Sequence, residues 1–148
     1  YACDPYCPDD VMKKHDVMPV ASAEELYKTC QFVSLHIPAT AETKQSINYS
    51  LLSLMPKGAL LINTARKEVI YEEDLARILE ERTDFHYIAD VAPTIADTLK
   101  EKFGNRVFFT PKKMGAQTAE ANINAGIAAA RQSVGYLKDG IDKFKVNK

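Results

Sequence analysis

The chain has 148 residues, 46% hydrophobic and 26% charged, with a net charge of −1. That is one domain's worth of sequence, with enough apolar material for a real core. The near-neutral balance supplies no basic footprint for nucleic acid, and no apolar run reaches the length of a membrane span or reads as a signal peptide.

Residues 1–3 read as a short strand running into a loop at Asp4. The sequence thus reads as a fragment that starts inside a domain. An acidic residue at a strand end can accept both hydroxyls of an adenosine ribose, which selects NAD over NADP. Asp4-Pro5 can equally start a turn. Ser22 followed three residues later by Glu25 has the form of a capping box, so a helix is expected to run to about 29. Residues 31–35 are the next strand, and His36, Ile37 and Pro38 follow at its tip, where the proline stops the strand. A lone histidine there is more often structural than catalytic. The cysteines Cys3, Cys7 and Cys30 are odd in number and lack metal-ligand spacing, so no metal site is expected and a reduced, cytoplasmic setting fits.

A short helix over 50–55 turns at Pro56-Lys57-Gly58 into the apolar run Leu60-Leu61-Ile62. This run fits a buried strand. It ends in Asn63-Thr64-Ala65-Arg66, small and polar residues suited to a loop at the carboxyl end of a strand, where open α/β sheets bind ligands. Arg66 is then a cation at a strand tip, able to grip a carboxylate with two hydrogen bonds. Pairing with Glu68 or Glu72 is the alternative. Glu72, Glu73 and Asp74 open a helix that runs to 81, as the helix dipole prefers, with Leu75, Ile78 and Leu79 on one face. A strand over 86–91 carries Asp90 near its end. A helix over 97–103 closes at Gly104, and a short strand spans 107–109. The loop 110–118 holds Lys112, Lys113, Gly115 and Ala116. An alanine-rich helix over 119–137 follows, with Gly126 inside it, and 139–148 is a polar tail.

Strand and helix alternate, which means α/β and a parallel, doubly wound, Rossmann-like sheet with helices on both faces. The loops beginning at Asp4, His36, Asn63, Asp90 and Thr110 should gather along one edge of it, where a dinucleotide would lie.

Val33-Ser34-Leu35-His36-Ile37-Pro38, Leu61-Ile62-Asn63-Thr64-Ala65-Arg66, Ala89-Asp90-Val91 and Thr110-Pro111 resemble, in order and spacing, the D-2-hydroxyacid dehydrogenases. The match covers nearly all the chain. The terminal helix and the ending Phe144-Lys145-Val146-Asn147 look like the short phosphoglycerate-oxidising branch of that family. The resemblance implies that residues 1–138 are a partial NAD-binding domain with its first strand and Gly-rich phosphate loop missing, and that 139–148 are a tail. It implies hydride transfer between NAD and a hydroxyl-bearing carbon. The implied substrate is 3-phosphoglycerate, oxidised to 3-phosphohydroxypyruvate in serine synthesis. A homodimer through the cofactor domain is implied too. By the same resemblance Arg66 anchors the substrate carboxylate and Asp4 binds the adenosine ribose. His36, Pro38, Thr64, Ala65 and Asp90 line the cofactor, and Gly115 and Ala116 let the backbone approach the nicotinamide closely.

Three positions depart from the family pattern. Its glutamate, five residues after the aspartate matched by Asp90, is Ile95. Its histidine after Thr-Pro is Lys112, or Lys113 when counted back from Thr118-Ala119-Glu120. Its usual glycine after the arginine is Lys67. A lysine starts near a pKa of ~10.4, too high for proton exchange at neutral pH, and a carboxylate beside it would raise it further. Replacing the glutamate by isoleucine and pairing two lysines both act to lower it. Loss of the glutamate and gain of the lysine thus make sense as one exchange, with Lys112 favoured over Lys113 as proton carrier. Three readings remain beside it: the lysines only attract the substrate's phosphate, the substrate is glyoxylate or a similar 2-oxo acid, or the protein is a cofactor-binding regulator without catalysis.

Overall fold

A computed structural model describes residues 1–111 and 118–145. The chain divides into two compact units, Tyr1–Lys113 and Met114–Lys148. The first unit runs α1 (Asp9–Lys14), α2 (Ala23–Thr29), β1 (Phe32–Leu35), α3 (Tyr49–Leu52), β2 (Leu60–Asn63), α4 (Glu72–Glu81), β3 (His86–Ala89), α5 (Ala96–Phe103) and β4 (Val107–Phe109). Single 3₁₀ turns occupy Lys67–Val69 and Gly104–Arg106. All strand pairs are parallel and the order is β1-β2-β3-β4. The second unit's described residues include α6 (Ala119–Asp139), whose Thr118 hydroxyl caps the Ala121 N–H at 3.0 Å.

Period-two patterning decides which side of the sheet is dry. Val33, Leu35, Leu61, Tyr87, Ala89, Val107 and Phe109 are buried, and they pack with Leu51 and Leu52 of α3, Leu75, Ile78 and Leu79 of α4, and Leu99 and Phe103 of α5. Residues between them in the strands point the other way, and Phe32, Ile88 and Phe108 stay exposed. Helices were expected on both faces; here the connecting helices share one core face. The reason is the strand order. A right-handed crossover into the next neighbour, repeated without reversal, puts every connecting helix on the same side. The parallel, Rossmann-like sheet stands, and within this unit its strand order does not reverse.

Local signals explain the helix ends. Ser22 Oγ accepts from Glu25 N at 3.2 Å, and the Glu25 carboxylate reaches back to Ala21 N at 3.0 Å. The amino ends of β2 and β3 are tied by Arg82, which donates to the Met55 and Pro56 carbonyls and to Asp84, each at 2.7 Å. Asp84 also accepts from Gly58 N at 2.6 Å. Gly58 stands at φ +74°, a left-handed conformation that needs no Cβ.

Two further differences from the sequence reading concern the start of the chain. Residues 1–3 form no strand of the sheet; Ala2 makes one parallel bridge to Pro19. Ala2 N donates to Met18 O and Val20 N to Ala2 O, both at 2.9 Å, and Pro19 has no N–H with which to extend the ladder. Helix α1 was not anticipated, although Pro8, two acids in the first turn and two lysines in the last are its signature.

Candidate functional site

The sheet register brings the strand tips together. Leu35 pairs with Asn63, Asn63 with Ala89, and Ala89 with Phe109. His36, Thr64, Asp90 and Thr110 are therefore the first residues beyond one carboxyl edge, where a doubly wound sheet takes its ligand.

At the β1 tip, His36 is held from both sides. Its Nε2 lies 2.9 Å from Ser34 Oγ and its Nδ1 3.4 Å from Thr64 Oγ1. The Thr64 hydroxyl also donates to Leu35 O at 3.3 Å. The Pro38 carbonyl accepts from the Thr43 hydroxyl, closing the loop behind it. At the β3 and β4 tips, Asp90 N donates to Asn63 O at 3.0 Å, and Thr110 Oγ1 donates to the Asp90 carbonyl at 2.6 Å and lies 3.1 Å from its carboxylate. Asp90 is thus fixed between two neighbouring strand tips.

The β2 tip is built on Asn63, 1% exposed. Its Oδ1 accepts from Ala65 N at 3.0 Å and its Nδ2 donates to Arg66 O at 2.9 Å. Tyr87 OH lies 3.5 Å from Nδ2; burial pushes that hydroxyl up to about 12, so it stays protonated and can accept. The turn then presents Arg66 in extended backbone with its side chain exposed, Nη1 resting on Ala65 O at 2.9 Å. Among the described residues no ion pair involves Arg66. Pairing with Glu72 is replaced by another use of that carboxylate. Glu72 accepts from Thr94 N at 2.7 Å and Ile95 N at 3.3 Å, stapling the start of α4 to the loop after β3.

Ile95 packs against the core at the start of α5. An apolar residue does so because the loop's free amides are already met by Glu72. Asp97 and Glu101 are exposed on α5. Asp4 shows the turn geometry: Oδ1 accepts from Tyr6 N at 2.9 Å, and its carboxylate is exposed, so Oδ2 remains open to a diol. Lys112, Lys113, Gly115 and Ala116 lie outside the described residues. These groups suit a dinucleotide: a carboxylate oxygen at Asp4 open to a ribose diol, and hydroxyls and a fixed carboxylate at the strand tips.

Sequence reasoning passed over Asn63 and Glu72 as working residues. The signal for Asn63 was a polar residue closing an apolar strand, at a position whose period-two neighbours are buried. No local signal marks Glu72, whose partners are 22 and 23 residues away.

Residues 1–111 match the family model described as D-isomer specific 2-hydroxyacid dehydrogenase, NAD binding domain. A D-3-phosphoglycerate dehydrogenase of Haemophilus influenzae is 34% identical over 86% of this chain and 32% of its own length. One from Methanocaldococcus jannaschii is 32% identical over 97% of this chain and 28% of its own. The crystal structure of cofactor (NAD+)-bound 3-phosphoglycerate dehydrogenase in Entamoeba histolytica is 47% identical, with a TM-score of 0.83 over 98% of this chain and 45% of that one. The chain thus spans about a quarter to a third of the length of the curated relatives it matches.

Proposed function

This chain belongs to the D-isomer specific 2-hydroxyacid dehydrogenase family, as its NAD-binding domain, and we propose that the whole protein oxidises 3-phosphoglycerate to 3-phosphohydroxypyruvate in serine synthesis. The observation that carries this reading is Arg66: a guanidinium at the carboxyl end of a central strand, its backbone locked by Asn63 and without an ion-pair partner among the described residues. Relatives named D-3-phosphoglycerate dehydrogenase support the choice of acid.

In this reading the Arg66 fork binds the substrate carboxylate with two parallel hydrogen bonds and so orients the hydroxyl-bearing carbon. Asp4 accepts from the adenosine ribose hydroxyls. His36, Pro38, Thr64, Ala65 and Asp90 contact the cofactor, and Gly115 and Ala116 are assigned to it as residues without bulky side chains. When bound, NAD supplies the hydride acceptor. Lys112 takes the hydroxyl proton at Nζ, with Lys113 as the alternative carrier. The apolar Ile95 leaves no carboxylate at the family's position to oppose this, and Glu72 is engaged by two amides. The whole protein works in the cytoplasm as a homodimer joined through this domain. Among the described residues no helix is long and apolar enough to cross a membrane.

The test is NAD reduction by the full-length protein with 3-phosphoglycerate, beside Lys112→Ala and Lys113→Ala. Turnover lost in the first variant with little change in KM is the expected result. A protein that binds NADH but oxidises no 2-hydroxy acid would overturn the reading in favour of a regulator.

A further inference from the structure

The buried amide of Asn63 draws one of its partners from outside its own turn. A primary amide has one acceptor oxygen and two N–H donors. The oxygen takes Ala65 N at 3.0 Å, and one N–H goes to Arg66 O at 2.9 Å. The second N–H is left for the Tyr87 hydroxyl of β3, 3.5 Å away. Both side chains are closed to solvent, each residue being 1% exposed. Without that hydroxyl, the second N–H is a buried donor with no water to replace the partner.

Tyr87 reaches Asn63 along a diagonal of the sheet. In the register Tyr87 stands beside Leu61 and Val107, whereas Asn63 stands beside Ala89. The hydroxyl therefore leans two residues towards the carboxyl edge, within the reach of an aromatic side chain on a strand. Ala89, next on the same face of β3, opposes this with a methyl group alone. On the far side of Ala89, Phe109 meets the Tyr87 ring edge to face, with centroids 5.7 Å apart and planes at 61°. Burial holds the hydroxyl neutral against the opposing pull of the Asn63 bond, and the Glu72 charge adds to the effect of burial. We propose that Tyr87 is a positioning residue for the acid substrate: its hydroxyl holds the Asn63 amide, and through it the turn that aims Arg66 at a carboxylate. This rests on the dehydrogenase reading above, which supplies the carboxylate, and it adds a residue of the core to that site.

The experiment uses the full-length protein as wild type, Tyr87→Phe, Asn63→Leu and the double variant. Tyr87→Phe keeps the ring against Phe109 and removes only the hydroxyl. Turnover is measured with D-3-phosphoglycerate, and binding of oxalate, a planar carboxylate probe, to the NADH-loaded protein is followed by calorimetry. The expected result is a KM raised roughly three- to fivefold in Tyr87→Phe, the yield of one long neutral hydrogen bond, with kcat changed less than about twofold. In the Asn63→Leu background the same change should do nothing further, because the two residues act as one unit. An unmoved KM in Tyr87→Phe overturns the proposal, and so does an equal effect in both backgrounds. If wild type oxidises no 2-hydroxy acid, the dehydrogenase reading fails by itself. Oxalate then decides: weaker binding to Tyr87→Phe than to wild type upholds the positioning role, and equal binding, or none to either, overturns it.

Discussion

Asn63 donates through Nδ2 to the main-chain carbonyl of Arg66 at 2.9 Å, while its Oδ1 accepts from Ala65 N at 3.0 Å. One buried side chain thereby folds the turn that aims the arginine. Both contacts are made where water is excluded, so removing them leaves backbone groups unpaired. We expect Asn63→Leu to lower stability by about 2 kcal/mol and to raise KM for the hydroxy acid about tenfold. Urea unfolding and steady-state kinetics check this. A stability loss with KM unmoved would mean that Asn63 holds the fold but does not position Arg66.

Glu72 joins the start of α4 to the loop after β3, two segments that the sheet alone leaves independent. Its carboxylate takes the Thr94 and Ile95 N–H groups, which are otherwise unpaired at the start of α5. Glu72→Ala is expected to cost about 1–2 kcal/mol, the range of a lost helix cap. Amide exchange at Thr94 and Ile95 should quicken, with a smaller effect in Glu72→Gln, which keeps one acceptor. Unchanged exchange at both amides would show that the staple is not used in solution.

Asp84 gives the fold a pH dependence of known sign. Its bonds from Arg82 and then from Gly58 N hold the carboxyl well below the usual carboxylate range. A depressed folded pKa stabilises above the unfolded value and is lost as pH falls through the folded one. The stability gap between wild type and Asp84→Asn should therefore be full at neutral pH and shrink below about pH 4. Acid titrations of both proteins test this; a gap that widens in acid contradicts the assignment.

Ile95 lies against the core, with its N–H given to Glu72. In the proposed mechanism, a carboxylate placed there would favour the charged form of the proton-carrying lysine and raise its pKa. For a reaction that needs the neutral amine, Ile95→Glu should slow turnover at neutral pH and move the optimum upward. Ile95→Gln, of similar size and uncharged, should leave the optimum in place. Matching profiles for the two variants would argue against a lysine as proton carrier.

Much of this protein was decided within short stretches of sequence. Helix α4 begins and ends at Glu72 and Glu81 as its acids and apolar spacing required, and β4 spans Val107–Phe109 as read. Ser22 and Glu25 set the start of α2, and the apolar run from Leu60 placed Arg66 just beyond a strand. These signals act over a turn of helix or a few strand residues, so they survive without knowledge of the neighbours. The tertiary structure decided the rest. Whether residues 1–3 form a strand depended on a partner, and Pro19 could not supply a ladder. Which face the helices cover depended on strand order, which no single segment encodes. Glu72 looked like a dipole-favoured helix opener and became a staple; Asn63 looked like a loop residue and became the buried support of Arg66. Both roles are hydrogen bonds to groups whose position is set only when the sheet closes. A side chain's donors and acceptors are written in the sequence, but the partners they meet are fixed by packing.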